Sequence, residues 1–439
     1  MLTGMGAKSG RTSADGIVKS LAVVGAAGLL LYGSKVLLNL FGPQPSFAIR
    51  HDLTGGLDSE EFIQFLSLIT DGNRRRSKLR RLKNGVEFYP EELEAIRRAQ
   101  HAINLEYFEF LPGKIADQML AALTERARAG VEVRLMVDAA GSFGTSDRYF
   151  DELRQAGGQM CWYHPFRWNT WPNLNQRSHR KLLIVDGHTG FIGGAGIADH
   201  WWEPTKHQPT WRDTVFCVEG EAVAGMISTF CESWLEASGE ILSGDNQFGF
   251  RAMPEGSESF VVSSTPRGGG TQGRILFQAL IRSARESIRI TTPYFLPDRS
   301  ARRALVEAVQ RRGVKVQILT AGPRIDHQFI RTLSRHSSRH LLLAGADIFE
   351  YQPSMIHAKL MTVDGQWSVM GSTNFDHRSF ALNEEVNLAV LDRDLAGVID
   401  GDFADDLKQS KPLTLDMLRE RTLLGKVEDV LEDVLKSES

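Results

Sequence analysis

The chain has 439 residues, enough for two or three domains of ordinary size, and its 42% hydrophobic and 24% charged residues are those of a globular protein. A net charge of −3 excludes a polycation built to hold nucleic acid, so any electrostatic targeting must come from local clusters. Three cysteines, Cys161, Cys217 and Cys231, form no C-x-x-C pair and no zinc spacing, which excludes a disulfide scaffold and leaves them as small apolar core residues.

In chain order, the first feature is a mostly apolar stretch from Gly16 to Phe41, unbroken from Leu21 to Gly33. A membrane-crossing helix needs about 20 apolar residues. The flanking Lys19 and Lys35 can snorkel and extend the span. Residues 1–45 therefore read as a tail and a single membrane anchor, with a cleaved signal peptide as the rival. The small residues Gly25, Ala26 and Ala27 lie inside the apolar run, so no good cleavage site follows it. Beyond it, Arg74, Arg75, Arg76, Lys78, Arg80, Arg81 and Lys83 form a basic cluster. It suits an anionic membrane surface or, equally, a solvated charged strand.

The next signal is a duplication. Ile103–Tyr107 alternates as a strand, a helical pattern follows to Ala129, and Gly130 stops it before the strand Val131–Asp138. Ser287–Thr291, a helix over about 300–311, Gly313 and the strand to Leu319 repeat that plan. Tyr107 and Tyr294, Gly130 and Gly313, and His179 and His357 are matched pairs at slowly drifting offsets. Alternating strands and helices imply α/β layers. The expected architecture is two duplicated α/β sandwich domains, 46–243 and 274–410, packed about a pseudo-two-fold. A Gly-, Ser- and Pro-rich linker occupies 244–273, and a C-terminal surface helix lies in 411–439.

Each half carries one short motif: His179-Arg180-Lys181, four apolar residues and Asp186-Gly187; then His357-Ala358-Lys359, Leu360-Met361-Thr362-Val363 and Asp364-Gly365. His and Lys two apart on a strand point to one face, and Asp-Gly turns the chain. The chemistry that fits is phosphodiester transfer. One histidine attacks phosphorus, the other protonates the leaving alkoxide and then deprotonates the incoming alcohol, and the lysines hold phosphoryl charge in place of a metal. Chance explains one such motif but not two at the same point of a repeat. Lysine is not an ordinary ligand, so no metal and no cofactor are expected. The catalytic candidates are His179, Lys181, Asp186, His357, Lys359 and Asp364. Gly268-x-Gly270-x-x-Gly273 is a lone glycine pattern without the terminal acid of a dinucleotide site, and no G-x-S-x-G is present. The aromatics Trp162, Tyr163, Phe166, Trp168 and Trp171 before His179 suit a lipid-contacting rim or core packing equally.

The paired motif resembles the phospholipase D superfamily. Gly371-Ser372-Thr373-Asn374-Phe375-Asp376-His377-Arg378-Ser379-Phe380, Leu382-Asn383-Glu384-Glu385, Asn175-Gln176-Arg177-Ser178, Trp211-Arg212-Asp213 and Pro293-Tyr294-Phe295-Leu296-Pro297 are similar to the signatures of bacterial cardiolipin synthases. The resemblance implies metal-free ping-pong transfer through phosphohistidine, with a phospholipid, phosphatidylglycerol first, as substrate and no nucleic acid partner. A hydrolytic phospholipase D or a superfamily nuclease is the alternative, and an inactive membrane scaffold is a distant third. The resemblance also implies His179 as nucleophile, Asp213 orienting His179, Glu385 orienting His357, and Ser372 and Asn374 contacting phosphate. The first half departs from the pattern with Gly194 and Gly196 where the second has Ser372 and Asn374.

Overall fold

Gly130 and Gly313 each stop a helix and return the chain into a strand, and both take the positive φ, 88° and 68°, that glycine adopts without strain. The computed structural model describes residues 49, 55–70, 74–166, 176–204, 209–244, 249, 252–265 and 271–419. The expected anchor in 16–41, Trp168 and Trp171, and the whole tail beyond 419 lie outside those residues. Among the described residues no helix is long and apolar enough to cross a membrane.

The strands of the first half are β1 (Arg75–Lys83), β2 (Ala102–Tyr107), β3 (Glu132–Asp138), β4 (Gln159–Tyr163), β5 (Lys181–Val185), β6 (Thr189–Gly193) and β7 (Thr214–Gly220). Those that follow are β8 (Ser257–Ser264), β9 (Ser287–Thr291), β10 (Phe295–Leu296), β11 (Lys315–Ala321), β12 (Asp347–Tyr351), β13 (Leu360–Val363), β14 (Trp367–Gly371), β15 (Phe375–Asp376), β16 (Glu385–Leu391) and β17 (Ser410–Pro412). Fifteen of them form one sheet, in the order β17-β12-β11-β9-β13-β14-β16-β8-β1-β7-β6-β5-β2-β3-β4, and β10 pairs with β15 separately. Read outward from the antiparallel β1/β8 seam, each half repeats the other, with β17 added at one edge. The duplication is thus a continuous sheet folded about a pseudo-two-fold. The stretch expected to be linker contributes β8, because Phe260 and Val262 turn one face of that strand into the core.

The repeat is offset differently from the tyrosine match. Tyr107 lies opposite Lys181, and Thr291 lies opposite Leu360. Continuing that register one residue sets Thr292, not Tyr294, opposite Lys359. Glu109 and Tyr294 are therefore the equivalent residues.

Each half has its own core on one face of the sheet, while the seam is shared. Leu182, Ile184, Ile192 and Phe216 of the first half pack in one cluster with Leu360, Met370, Val386 and Leu388 of the second. The helix Ala222–Ser238 covers this cluster with Val223, Met226, Ile227, Phe230 and Trp234. Burial of such side chains contributes roughly 1.5–3 kcal/mol each, which ties the halves into one folding unit.

The basic cluster resolves as charged strand β1 and its approach. Arg74 pairs with Glu60 and Glu258, Arg76 with Glu258, Lys78 with Glu255, Arg80 with Glu91, Arg81 with Glu87 and Asp402, and Lys83 with Asp402. Each of these six cations thus has a carboxylate beside it.

One buried carboxyl sets a pH dependence. Glu92 is 2% exposed, its Oε2 has no hydrogen-bond partner, and burial pushes its pKa up to about 8. The folded chain keeps the proton that the unfolded chain loses near the ordinary glutamate value. Stability therefore falls as pH rises from there to about 8 and then levels off. Glu92→Gln is expected to raise the melting temperature by about 2 °C or more at about pH 8.5 and much less at about pH 5. Thermal denaturation of both proteins at the two pH values checks this; an equal shift at both would refute it.

Candidate active site

The two motifs meet at the seam because the chain just before each histidine runs parallel to the chain that carries the other half's carboxylate. Ser178 bridges Glu384, and Arg212 bridges Ile356. Backbone bonds fix both contacts: His179 N–H to Glu384 O at 2.9 Å, and His357 N–H to Arg212 O at 2.7 Å.

This crossing corrects the expected pairing. His179 Nδ1 lies 3.0 and 3.1 Å from the two carboxylate oxygens of Glu385, and His357 Nδ1 lies 3.0 Å from Asp213 Oδ2. Each histidine is oriented by the opposite half. Position along the chain suggested same-half pairs; the parallel bridges across the seam make cross-half pairs the short ones. A carboxylate on Nδ1 fixes the tautomer and leaves Nε2 of each ring to react.

The carboxylates are themselves held. Trp201 Nε1–H donates to Asp213 Oδ2 at 3.1 Å and Thr214 N–H to Oδ1 at 2.8 Å. Ser372 Oγ–H donates to Glu385 Oε2 at 2.5 Å. The Ser372 hydroxyl, expected to contact phosphate, is thus spent on Glu385. Asn374 Oδ1 is buried with no hydrogen-bond partner. The glycine at 194 has a steric cause: a Cβ there would lie 2.6 Å from Asp213 Oδ1 and 2.7 Å from His357 O. The shorter aspartate reaches the opposite histidine only where the equivalent of Ser372 has no side chain.

Both histidines are 8% exposed, and Lys181 and Lys359 are 3% and 4% exposed. Burial, opposed by the partner carboxylates, lowers His179 to a pKa of about 4 and His357 to about 3, which holds both rings neutral near pH 7. The same desolvation lowers Lys181 to about 8 and Lys359 to about 7. Lys181 Nζ donates to His179 O at 2.6 Å and lies 5.2 Å from the Phe108 ring centre. Lys359 Nζ is 2.9 and 3.0 Å from the ring nitrogens of His357 and 2.5 Å from its carbonyl oxygen.

The motif aspartates are not brought to the cluster. Asp186 accepts backbone N–H bonds from Gln100, His101 and Ala102, and Asp364 from Arg285, Glu286 and Ser287. They sit at the far ends of β5 and β13, about 17 Å along an extended chain from the lysines. Their expected catalytic role gives way to fixing the turn that registers each motif strand; both have φ of 51°.

Several further side chains surround the cluster. Arg180, the middle residue of the first motif, is fully buried, with Nη1 3.7 Å from Glu384 and Nη2 3.1 Å from Glu232. Tyr163 Oη–H donates to Glu384 at 2.6 Å, so this member of the aromatic group serves the core beneath the site. Phe166 remains 54% exposed, 6.3 Å from the 79%-exposed Phe143. Trp201 and Trp211 flank the His357 ring at 5.4 and 5.5 Å between centres.

The two histidine–lysine pairs and their crossed carboxylates form one buried cluster to which both halves contribute. The family described as cardiolipin synthase, PLD-like domain matches residues 93–207 and 277–407. A probable cardiolipin synthase of Bacillus subtilis (strain 168) is 32% identical over 388 residues, 88% of this chain and 76% of its own. Cardiolipin synthase 2 of Bacillus anthracis is 34% identical over 352 residues, 79% and 68% of the two chains. The chain belongs to the cardiolipin synthase family of phospholipase D-like enzymes. The fold is shared with phosphatidylserine synthase of Haemophilus influenzae Rd KW20, at a TM-score of 0.62 and 13% identity over 86% of this chain and 98% of that one. It is shared more loosely with polyphosphate kinase of Porphyromonas gingivalis, at a TM-score of 0.52 and 12% identity over 85% and 53% of the two chains.

Proposed function

We propose that the protein makes cardiolipin by transferring a phosphatidyl group from one phosphatidylglycerol to the head-group hydroxyl of another. The observation that carries this is the crossed His179–Glu385 and His357–Asp213 arrangement, in a chain whose relatives are cardiolipin synthases. His179 Nε2 attacks phosphorus and forms a P–N bond as the P–O bond to the glycerol head group breaks. The leaving alkoxide takes its proton from His357. Burial holds that ring neutral, and a phosphodiester anion brought beside it supplies the charge that favours the imidazolium. The incoming alcohol then gives its proton to His357, its oxygen bonds to phosphorus and the P–N bond breaks. Lys181 and Lys359 balance the phosphoryl charge in both steps. The roles of nucleophile and acid follow the family resemblance; burial and a carboxylate on Nδ1 are common to both rings. The lipid substrate places the work at a membrane, and the apolar run in 16–41 is the segment we assign to anchoring.

Incubating the purified protein with phosphatidylglycerol, and separately with phosphatidylethanolamine, and identifying products by mass tests this. Cardiolipin with free glycerol from the first is the expected result; phosphatidic acid as sole product would make the enzyme a hydrolase. Exhaustive chelation is expected to leave most activity, since the lysines supply the positive charge. Complete loss restored by zinc or magnesium would overturn the mechanism.

A further inference from the structure

One group of titratable side chains beside His357 has no part in the transfer just described. Glu109 lies two residues past Tyr107, the residue opposite Lys181, and its Oε1 is 3.3 Å from His200 Nε2. The two atoms are not aligned for a hydrogen bond, and Nε2 of His200 is buried without one. The His200 ring lies 4.1 Å from Trp201 and 4.0 Å from Trp211, centre to centre, and these are the indoles that flank His357. From the other half comes Tyr294, the residue equivalent to Glu109, whose hydroxyl bonds the Asp326 carboxylate. Tyr294 and Trp211 pack against one apolar cluster, so the group approaches the site from both halves.

A carboxyl here is a problem for phosphate binding. Placed against the phosphoryl oxygens it would repel the anion that the lysines hold. Placed on the side of the leaving and entering oxygen it meets only hydroxyls, which it can bond whether protonated or not. Burial raises the Glu109 pKa to about 7, which softens the repulsion further. Carboxyl, imidazole and phenol together offer both donors and acceptors, a set that suits several adjacent hydroxyls rather than one.

We propose that Glu109, with His200, Tyr294 and Asp326, lines the pocket for the alcohol that leaves and enters at phosphorus, and selects a polyhydroxy head group such as glycerol over simple alcohols and water. This rests on the phosphatidyl-transfer reading above. Glu109 is a specificity residue here; the covalent steps remain those of the histidines.

The test uses the full chain, with phosphatidyl-p-nitrophenol as donor and glycerol as acceptor. Release of p-nitrophenol reports the first step, and the ratio of phosphatidylglycerol to phosphatidic acid reports the choice of acceptor. For Glu109→Leu, release is expected to stay within about threefold of wild type while the transfer ratio falls at least about tenfold, the scale of one lost hydrogen bond to a polar substrate group. Glu109→Gln puts an amide, still a donor and acceptor, in place of the carboxyl, and its ratio should fall less than about threefold. An unchanged ratio in Glu109→Leu would overturn the proposal. So would a fall in release that matches the fall in transfer, the mark of a merely structural pair. If the wild type releases p-nitrophenol but yields only phosphatidic acid, the transfer reading itself fails, and the pocket assignment with it.

Discussion

His179→Ala and His357→Ala are each expected to reduce turnover of phosphatidylglycerol by about a thousandfold or more, because groups that act as one unit fail together. The histidines come from different halves, and each ring is clamped at Nδ1 by a carboxylate from the opposite half. Removing one ring takes away either the nucleophile or the proton carrier, and also leaves Glu385 or Asp213 buried without its partner. Initial rates measured with matched folded fractions, checked by circular dichroism, decide the matter. A variant that kept a tenth of wild-type turnover would show that one half suffices.

The crossed carboxylates give the second large effect. Glu385→Gln and Asp213→Asn are each expected to lower turnover by about a hundredfold to ten-thousandfold, through loss of the correct tautomer and of imidazolium stabilisation. Their responses to leaving group should differ. A donor with a very good leaving group, such as p-nitrophenol, needs little acid help. Asp213→Asn, which weakens His357, should then recover its first step to within about tenfold of wild type, while Glu385→Gln, which weakens His179, should not. Recovery in Glu385→Gln alone would point to same-half pairing or to exchanged roles for the histidines. Single-turnover p-nitrophenol release from the two variants supplies the comparison.

Much of this site was legible before any coordinates. His179, Lys181, His357 and Lys359 stand out because a strand's two-residue period puts each pair on one face and the repeat supplies the motif twice. Asp213 and Glu385 were legible as the partners, but not whose partners they are. That depends on the bridges at Ser178–Glu384 and Arg212–Ile356, which join segments about 200 and 140 residues apart and leave no local pattern. The motif aspartates misled for the opposite reason. Their conspicuous place in the motif reflects a turn, where Asp186 and Asp364 each gather three backbone N–H groups, and not chemistry. β8 was hidden by the Gly-, Ser- and Pro-rich composition around it, although Phe260 and Val262 carry the alternation of a half-buried strand. The basic run reads equally as a membrane patch or a charged strand, and the carboxylates that pair with it, Glu60, Glu87, Glu91, Glu255, Glu258 and Asp402, come from distant segments and leave no local pattern.

In the proposed reaction, phosphatidyl groups pass through a histidine of a site shared by the two halves. The most direct measurement of this is to mix the purified protein with phosphatidylglycerol labelled at phosphorus, quench in alkali, where a phosphoryl–histidine bond survives, and map the labelled peptide by mass. The account predicts the label on His179 in the wild type, its persistence in His357→Ala supplied with a good-leaving-group donor, and its absence in His179→Ala. Label on His357 in the wild type, or on no histidine at all, would contradict it.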